Sequence, residues 1–343
     1  MRFLATIASL VSLAAAAPQA EIPLHVTLET AGNSAVKATI ANNGETNIRV
    51  FRTGSILDQA AIQKAYVTGE DGTKVRFHGI RQRISTQNIH DDSFEDIPAG
   101  KSVDVVFDVA QVHDLSSGGT FDIQSRGVMH YATQDNNHLA GSVPYESNTL
   151  RVTVDGPKAA SVLKSFRATK RSTVAGDCTG ANLSAAQNDL ASCGRVARVA
   201  LAAAQTNDQK MQEYFKDTSA ATKNHVASVF NLVVNECNNR GVNSFHCADI
   251  GHSCGGNVVA YTTIDSSYQV YCDLFFNLPA LTNSCHAQDQ ATTVVHEMTH
   301  LLSVAETSDL AYGYSNIMKL DTASALNNAE SYSLFTNALL AGC

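Results

Sequence analysis

The sequence predicts two units of different fold class, an antiparallel β-sandwich followed by a mainly helical unit with a small β-hairpin. Residues 21 to about 160 alternate apolar and polar side chains with a period of two, as half-buried strands do. All eight Cys lie from Cys178 onward, and that half also carries runs with helical spacing. Charge divides at the same place. Residues 1–171 hold 17 Lys+Arg and 17 Asp+Glu, residues 172–343 hold 7 and 15, and the whole formal charge of −8 falls on the second unit.

Taken in order, Met1-Arg2 and the apolar run Phe3 to Ala17 have the charged start, short hydrophobic core and small residues of a secretory leader. Residues 1–16 are read as a signal peptide and the protein as secreted. No other stretch reaches the roughly 18 apolar residues of a membrane span, so no membrane partner is expected. Within 17–171, Val26–Thr30, Val36–Ile40, Asp104–Val109 and Leu150–Val154 read as strands, punctuated by turns at Asn43-Gly44, Asp71-Gly72 and Gly118-Gly119. Lys170-Arg171 stands at the change of composition and reads as an exposed processing site, with a mature unit from Ser172. The β-rich unit is then either a removable prosegment that aids folding and blocks the cleft, or a permanent binding module. Without Cys it cannot silence a metal through a thiolate, so steric blockage is the predicted mode.

In 172–343, Asn182 or Ser184 caps a predicted helix running towards Phe215, and Val226, Val229, Phe230, Val233 and Val234 mark the buried face of another. Val258–Ile264 and Tyr268–Cys272 read as a hairpin turning at Asp265-Ser266-Ser267, with one of its strands suited to hold a substrate backbone by strand addition. Further helices are predicted just after Cys285 and after Asp321 or Thr322. An even Cys count behind a leader indicates disulfides, though eight Cys allow 105 pairings. The acidic balance disfavours nucleic acid and anionic membranes and favours basic partners.

The chemistry centres on His296-Glu297-Met298-Thr299-His300. Residues four apart share a helix face, so two imidazoles can meet one metal ion with Glu297 a step round, which is a zinc hydrolase signature. At 100° per residue, Val294, Val295, Met298, Leu301, Leu302 and Ala305 fall opposite the two His as a core face. Catalytic zinc usually takes three protein ligands, so a third should lie downstream. Position 306, where the metzincin pattern needs His, is Glu, which excludes that class.

The next residues, Thr307-Ser308-Asp309-Leu310-Ala311-Tyr312-Gly313, resemble the TxDxxYG segment of the deuterolysin family, the aspzincin metalloendopeptidases. Similar stretches are Cys285–Thr292 and Leu326–Tyr332, so the likeness spans most of Cys178 to Cys343. The resemblance implies a zincin-like α+β fold and one Zn²⁺ per chain held by His296, His300 and Asp309. It assigns the general base to Glu297 and oxyanion stabilisation to Tyr312. It further implies a monomeric enzyme acting on basic proteins, and the pairs Cys178–Cys247, Cys254–Cys272 and Cys285–Cys343, leaving Cys193–Cys237 by elimination. Two positions depart from the pattern: Glu306 replaces the usual Gly before the segment, and Phe275 stands where some members carry Tyr.

Two rival readings stand beside this one. Glu330, on the last predicted helix, is an alternative third ligand or an orienting partner of a metal-bound His. Alternatively the chain is a secreted disulfide-linked binding protein with structural zinc, although such sites are closed by four protein ligands and usually lack an acid like Glu297. His225, His246, His252 and His286 have no ligand spacing and read as structural or surface groups.

Overall fold

The computed structural model describes residues 24–133, 136–170, 176–238, 244–264 and 268–343. The predicted leader, the Arg171/Ser172 junction and the turn Asp265-Ser266-Ser267 lie outside them.

Period-two alternation becomes eleven strands in the first half: β1 (Leu24–Thr30), β2 (Ala35–Asn42), β3 (Ile48–Phe51), β4 (Tyr66–Gly69), β5 (Ile80–Ile84), β6 (Phe94–Ile97), β7 (Ser102–Asp108), β8 (Gly119–Gln124), β9 (Arg126–Ala132), β10 (Leu139–Glu146) and β11 (Leu150–Val154). All but β5 form three antiparallel sheets, ordered β1-β2-β7, β10-β9-β3-β6 and β11-β8-β4. Every second residue of β2 is buried, as its alternation demands. Val36, Ala38 and Ile40 thus meet Val26, Leu28, Val50, Ile123 and Met129 in one shared core. Helix α1 (Gly156–Lys170) comes next, where the sequence reading has only strand and exposed linker. Its Ala159 and Leu163, four apart, are buried on one face. Gly156 permits its start, because a Cβ there would meet the Ser116 carbonyl at 2.3 Å.

The second half is built from α2 (Gly180–Thr206), α3 (Asp208–Phe215), α4 (Ala220–Asn238), β12 (Ser244–His246), β13 (Val258–Thr263), β14 (Tyr268–Tyr271), α5 (Asp273–Phe276), α6 (Gln290–Thr299), α7 (Tyr314–Ile317), α8 (Thr322–Leu326) and α9 (Ala329–Ala341). The helix expected to run from Asn182 or Ser184 to Phe215 starts earlier, at Gly180, and is broken at Asn207. The Asn207 side chain accepts from Lys210 N and so caps α3. In α4 the predicted stripe, Val226, Val229, Phe230, Val233 and Val234, is buried. Phe275 is fully buried beside Phe245, Tyr271 and Phe276, so this position serves the core.

The disulfides are Cys178–Cys247, Cys193–Cys237, Cys254–Cys272 and Cys285–Cys343, the set expected from the sequence. Each closes a loop long enough to contribute about 2 to 4 kcal/mol. Among the described residues no helix is long and apolar enough to cross a membrane.

The predicted hairpin is present: β13 pairs antiparallel with β14, and β12 lies parallel on the far side of β14. The fourth strand of this sheet is β5, from the first half, antiparallel to β13. The two halves therefore share a sheet.

Phe335 of α9 is fully buried among Tyr214, Phe215 and Phe230, with ring centroids 5.4 to 5.9 Å away. Truncation leaves a cavity in the helical core. Phe335→Ala should cost about 3 to 5 kcal/mol in denaturant unfolding with the disulfides intact.

Candidate metal centre

Helix α6 carries His296, is capped at its C-terminus by His300, and is buried along its whole length. Asp289 sets its start by accepting from Thr292 N at 2.7 Å, four residues later than the expected start after Cys285. The helix ends at Thr299, because the chain turns back at once. Thr307 N donates to the Thr299 carbonyl at 3.2 Å and Glu306 N to the Leu301 carbonyl at 3.2 Å. Leu302, expected on a helical core face, is consequently 54% exposed. Glu306 makes the turn with φ +50°, in the left-handed region where Gly has no steric cost, so the backbone bend persists despite the substitution.

That turn delivers Asp309 to the helix. His296 Nε2 lies 3.0 Å from Asp309 Oδ1, and His300 Nε2 lies 3.4 Å from Asp309 Oδ2. One ligand atom from each of the three falls within 4.8 Å of the others. The loop is pinned from behind by α9: Asn328 Oδ1 accepts from Leu310 N and Ala311 N at 2.9 and 3.1 Å. Sequence reasoning missed Asn328. Its signal was its place beside Ala329-Glu330 in the Leu326–Tyr332 stretch.

The donor set suits a divalent metal. His300 Nδ1 donates to the Thr307 carbonyl at 2.9 Å, which leaves Nε2 to offer its lone pair. His296 Nε2, His300 Nε2 and Asp309 Oδ1 are buried and make no well-directed hydrogen bond in spite of their closeness. Two imidazoles and one carboxylate around a common point fit zinc with a further position open. Glu330 stays outside this group. Its Oε2 lies 3.5 Å from Nδ1 of His296, the ring nitrogen not facing Asp309.

Electrostatics separate the roles without a metal. Burial, and then Arg83, push His296 down to about 3, so it is neutral. Burial opposes protonation of His300, but Asp309, Glu297 and the Thr307 carbonyl outweigh it and raise its pKa. Burial also works against ionisation of Asp309, yet the two imidazoles hold it well below the usual carboxylate range. In the metal-free centre Asp309 thus favours a proton on His300. Glu297 is pushed up to about 7 by burial. Its Oε2 accepts from Thr262 Oγ1 of β13 at 2.6 Å, while Oε1 is buried without a partner.

Tyr312 is buried, and its hydroxyl donates to the Gln82 backbone carbonyl at 2.6 Å. The structure thus brings His296, Glu297, His300, Asp309 and Tyr312 to one place. It adds three residues that the sequence did not mark: Thr262 on β13, and Gln82 and Arg83 on β5.

The sequence profile of the family described as Deuterolysin metalloprotease (M35) matches residues 1–343. A neutral protease 2 homolog of Phaeosphaeria nodorum is 42% identical over 98% of this chain and 98% of its own length. One of Colletotrichum graminicola is 42% identical over 94% and 92%. A solved zinc peptidase from Grifola frondosa aligns over 47% of this chain and 97% of its own, at 20% identity and TM-score 0.40.

Asp309→Ala should abolish zinc binding, whereas Glu330→Ala should keep it with affinity about 10- to 100-fold weaker, as for an orienting partner. Zinc retained by Asp309→Ala and lost by Glu330→Ala would reverse that assignment. Because a metal must displace the His300 proton, and its pKa is raised, zinc affinity should fall as pH drops below neutral, with proton release in calorimetry.

Proposed function

Since the chain belongs to the deuterolysin metalloprotease (M35) family and is a metalloendopeptidase, we propose that His296, His300 and Asp309 hold one zinc ion, that Glu297 is the general base and that Tyr312 stabilises the oxyanion. The observation that carries this is the convergence of three buried donor atoms, with Glu297 next to His296 on the helix and its Oε1 buried without a partner.

Zinc held there supplies a water acidified to a pKa of about 7 and polarises the substrate carbonyl. Glu297 accepts the water proton and returns it to the leaving amine, with Thr262 fixing its other oxygen. With a metal ion held by His296, His300 and Asp309, Glu297 would lie closer to the ionised form that a base needs. Tyr312 donates its hydroxyl proton to the carbonyl oxygen as that oxygen gains charge, and it already donates to a peptide carbonyl. Three protein donors and an unpaired acid favour this over a closed structural site.

The enzyme is read as secreted, from its leader and four disulfides. Residues 17–171 are read as a sandwich-type prosegment released at Lys170-Arg171, and the monomeric mature enzyme as starting at Ser172. The prosegment acts as folding aid and inhibitor. Support comes from β5, which lies on the sheet beside the site. Basic protein substrates are favoured by the acidic second unit and by Glu330, against which a basic side chain, that of Arg83, already sits buried.

The test pairs the chain from Ser172 with its Glu297→Gln variant. Both should hold one zinc, and cleavage of protamine should fall by about 10²- to 10⁴-fold in the variant. Tyr312→Phe should lower kcat by about 10²- to 10³-fold with zinc retained. Full activity in Glu297→Gln would sink the assignment.

A further inference from the structure

β5 is the one strand of the first half, among the described residues, that joins none of its three sheets. It lies on the outer edge of β13 instead, antiparallel, with Gln82 opposite Tyr261 and Arg83 opposite Ala260. β13 also carries Thr262, which holds Glu297. An extended segment added to the edge strand beside a protease site is the arrangement of a bound peptide substrate.

The side chains on either side of Gln82–Arg83 are seated as well as the backbone. The Gln82 carbonyl receives the Tyr312 hydroxyl. The Arg83 guanidinium is fully buried, ion-paired with Glu330, and donates to Ser333 Oγ at 2.9 Å, while its Nη1 lies 2.6 Å from His296 Nδ1. Gln288 Nε2 donates to the Ile84 carbonyl at 2.9 Å, and Arg81 Nη2 donates to Ser308 Oγ, the neighbour of Asp309, at 3.4 Å. Carbonyl under the phenol, next side chain anchored, and backbone paired with β13 before and after it mark one peptide bond.

We propose that β5 is a resident substrate strand and that Gln82–Arg83 is a bond the site hydrolyses in its own chain. The inference rests on the proposed roles of Glu297 and Tyr312. One water is consumed. The C–N bond between Gln82 and Arg83 breaks, a C–O bond forms at the Gln82 carbonyl carbon, and Glu297 carries a proton from the water to the Arg83 nitrogen. The second water proton follows to the same nitrogen, so the products are a carboxylate at Gln82 and an ammonium at Arg83, with no change of oxidation state. This cut differs from the one at Lys170-Arg171, and it leaves Arg83 anchored against Glu330 as the product side of the site.

The experiment uses the full chain, prepared metal-free and then given zinc, and followed by intact mass and N-terminal sequencing. A new N-terminus at Arg83 is expected, at a rate independent of protein concentration, absent in Glu297→Gln and slowed about 100-fold in Tyr312→Phe. A second readout needs no metal. Hydrogen exchange of the β5 and β13 amides should speed up at least tenfold in metal-free Arg83→Ala, and less in Arg83→Lys, which keeps the charge. Zinc-loaded protein that digests protamine after release of its first unit, yet never cuts Gln82–Arg83 before that release, overturns the inference and leaves the proposed function standing. Failure to digest protamine as well overturns both. Unchanged exchange in Arg83→Ala removes the anchored strand, and with it the inference.

Discussion

Burial of charge is the constraint on which the rest of this structure depends. Helix α6 has no exposed face, yet it carries Glu297 and His296 and ends at His300, and Asp309, Arg83 and Glu330 are brought against it. Each isolated charge in such a place costs several kcal/mol. The solution is pairing: Arg83 with Glu330, and His300 with Asp309. Glu297 Oε1 and the three ligand atoms make no hydrogen bond, and the ligand atoms of His296, His300 and Asp309 lie together. A site whose remaining valences converge is prepared for a cation, and the cost of holding them apart from water is met by the core of α2, α4 and α9 around them.

The same constraint explains the loop that succeeds the helix. A regular helix through residue 305 would carry Asp309 away from both histidines. Thr299, Thr307 and the left-handed Glu306 reverse the chain within one turn, and Asn328 then holds it. Asn328 and Glu330 are two residues apart on the entry to α9, so one element positions the carboxylate loop and abuts His296. The disulfide Cys285–Cys343 ties the end of that element to the approach to α6.

Legibility in the sequence is a matter of locality. Residues four apart on a helix and strands with period two announce themselves, so His296, His300, the α4 stripe and the β13–β14 hairpin can be read directly. Asp309 is reached through resemblance, since it lies beyond His300 across a stretch of non-helical chain that no periodicity carries. The helix ends are misplaced in a sequence reading because Asp289 and Asn207 cap through side-chain bonds that compete with several equally plausible caps nearby. Helix α1 escapes it because the buried pair Ala159 and Leu163 is too small a stripe to outweigh the strands before it. β5 is illegible for another reason: Ile80-Arg81-Gln82-Arg83-Ile84 places a buried Arg where half-buried strands keep polar residues outside. Only the partner carboxylate, 247 residues away in sequence, makes that burial sensible.

That distant pair ties the two halves together by charge, beside the apolar contacts they share. The first half has its own apolar core and no disulfide, and the second has four. Apolar contact joins them as well: Ile62 and Ile80 pack with Val258 and Tyr261, and Phe51 and Ile84 with Tyr312. Arg83 is different, because removing either it or Glu330 alone strands a charge in a dry interior, a loss of about 3 to 5 kcal/mol. When the first half departs as a whole, Glu330 regains a donor close at hand. Its Oε2 is 3.5 Å from His296 Nδ1 and already accepts from Ser333 Oγ at 3.1 Å. On the proposed reading, the carboxylate that anchors the prosegment strand in the joined chain is then free to orient a metal-bound imidazole in the separated one. The exchange of partners lets the site give up β5 while the Glu330 carboxylate keeps a hydrogen-bond donor.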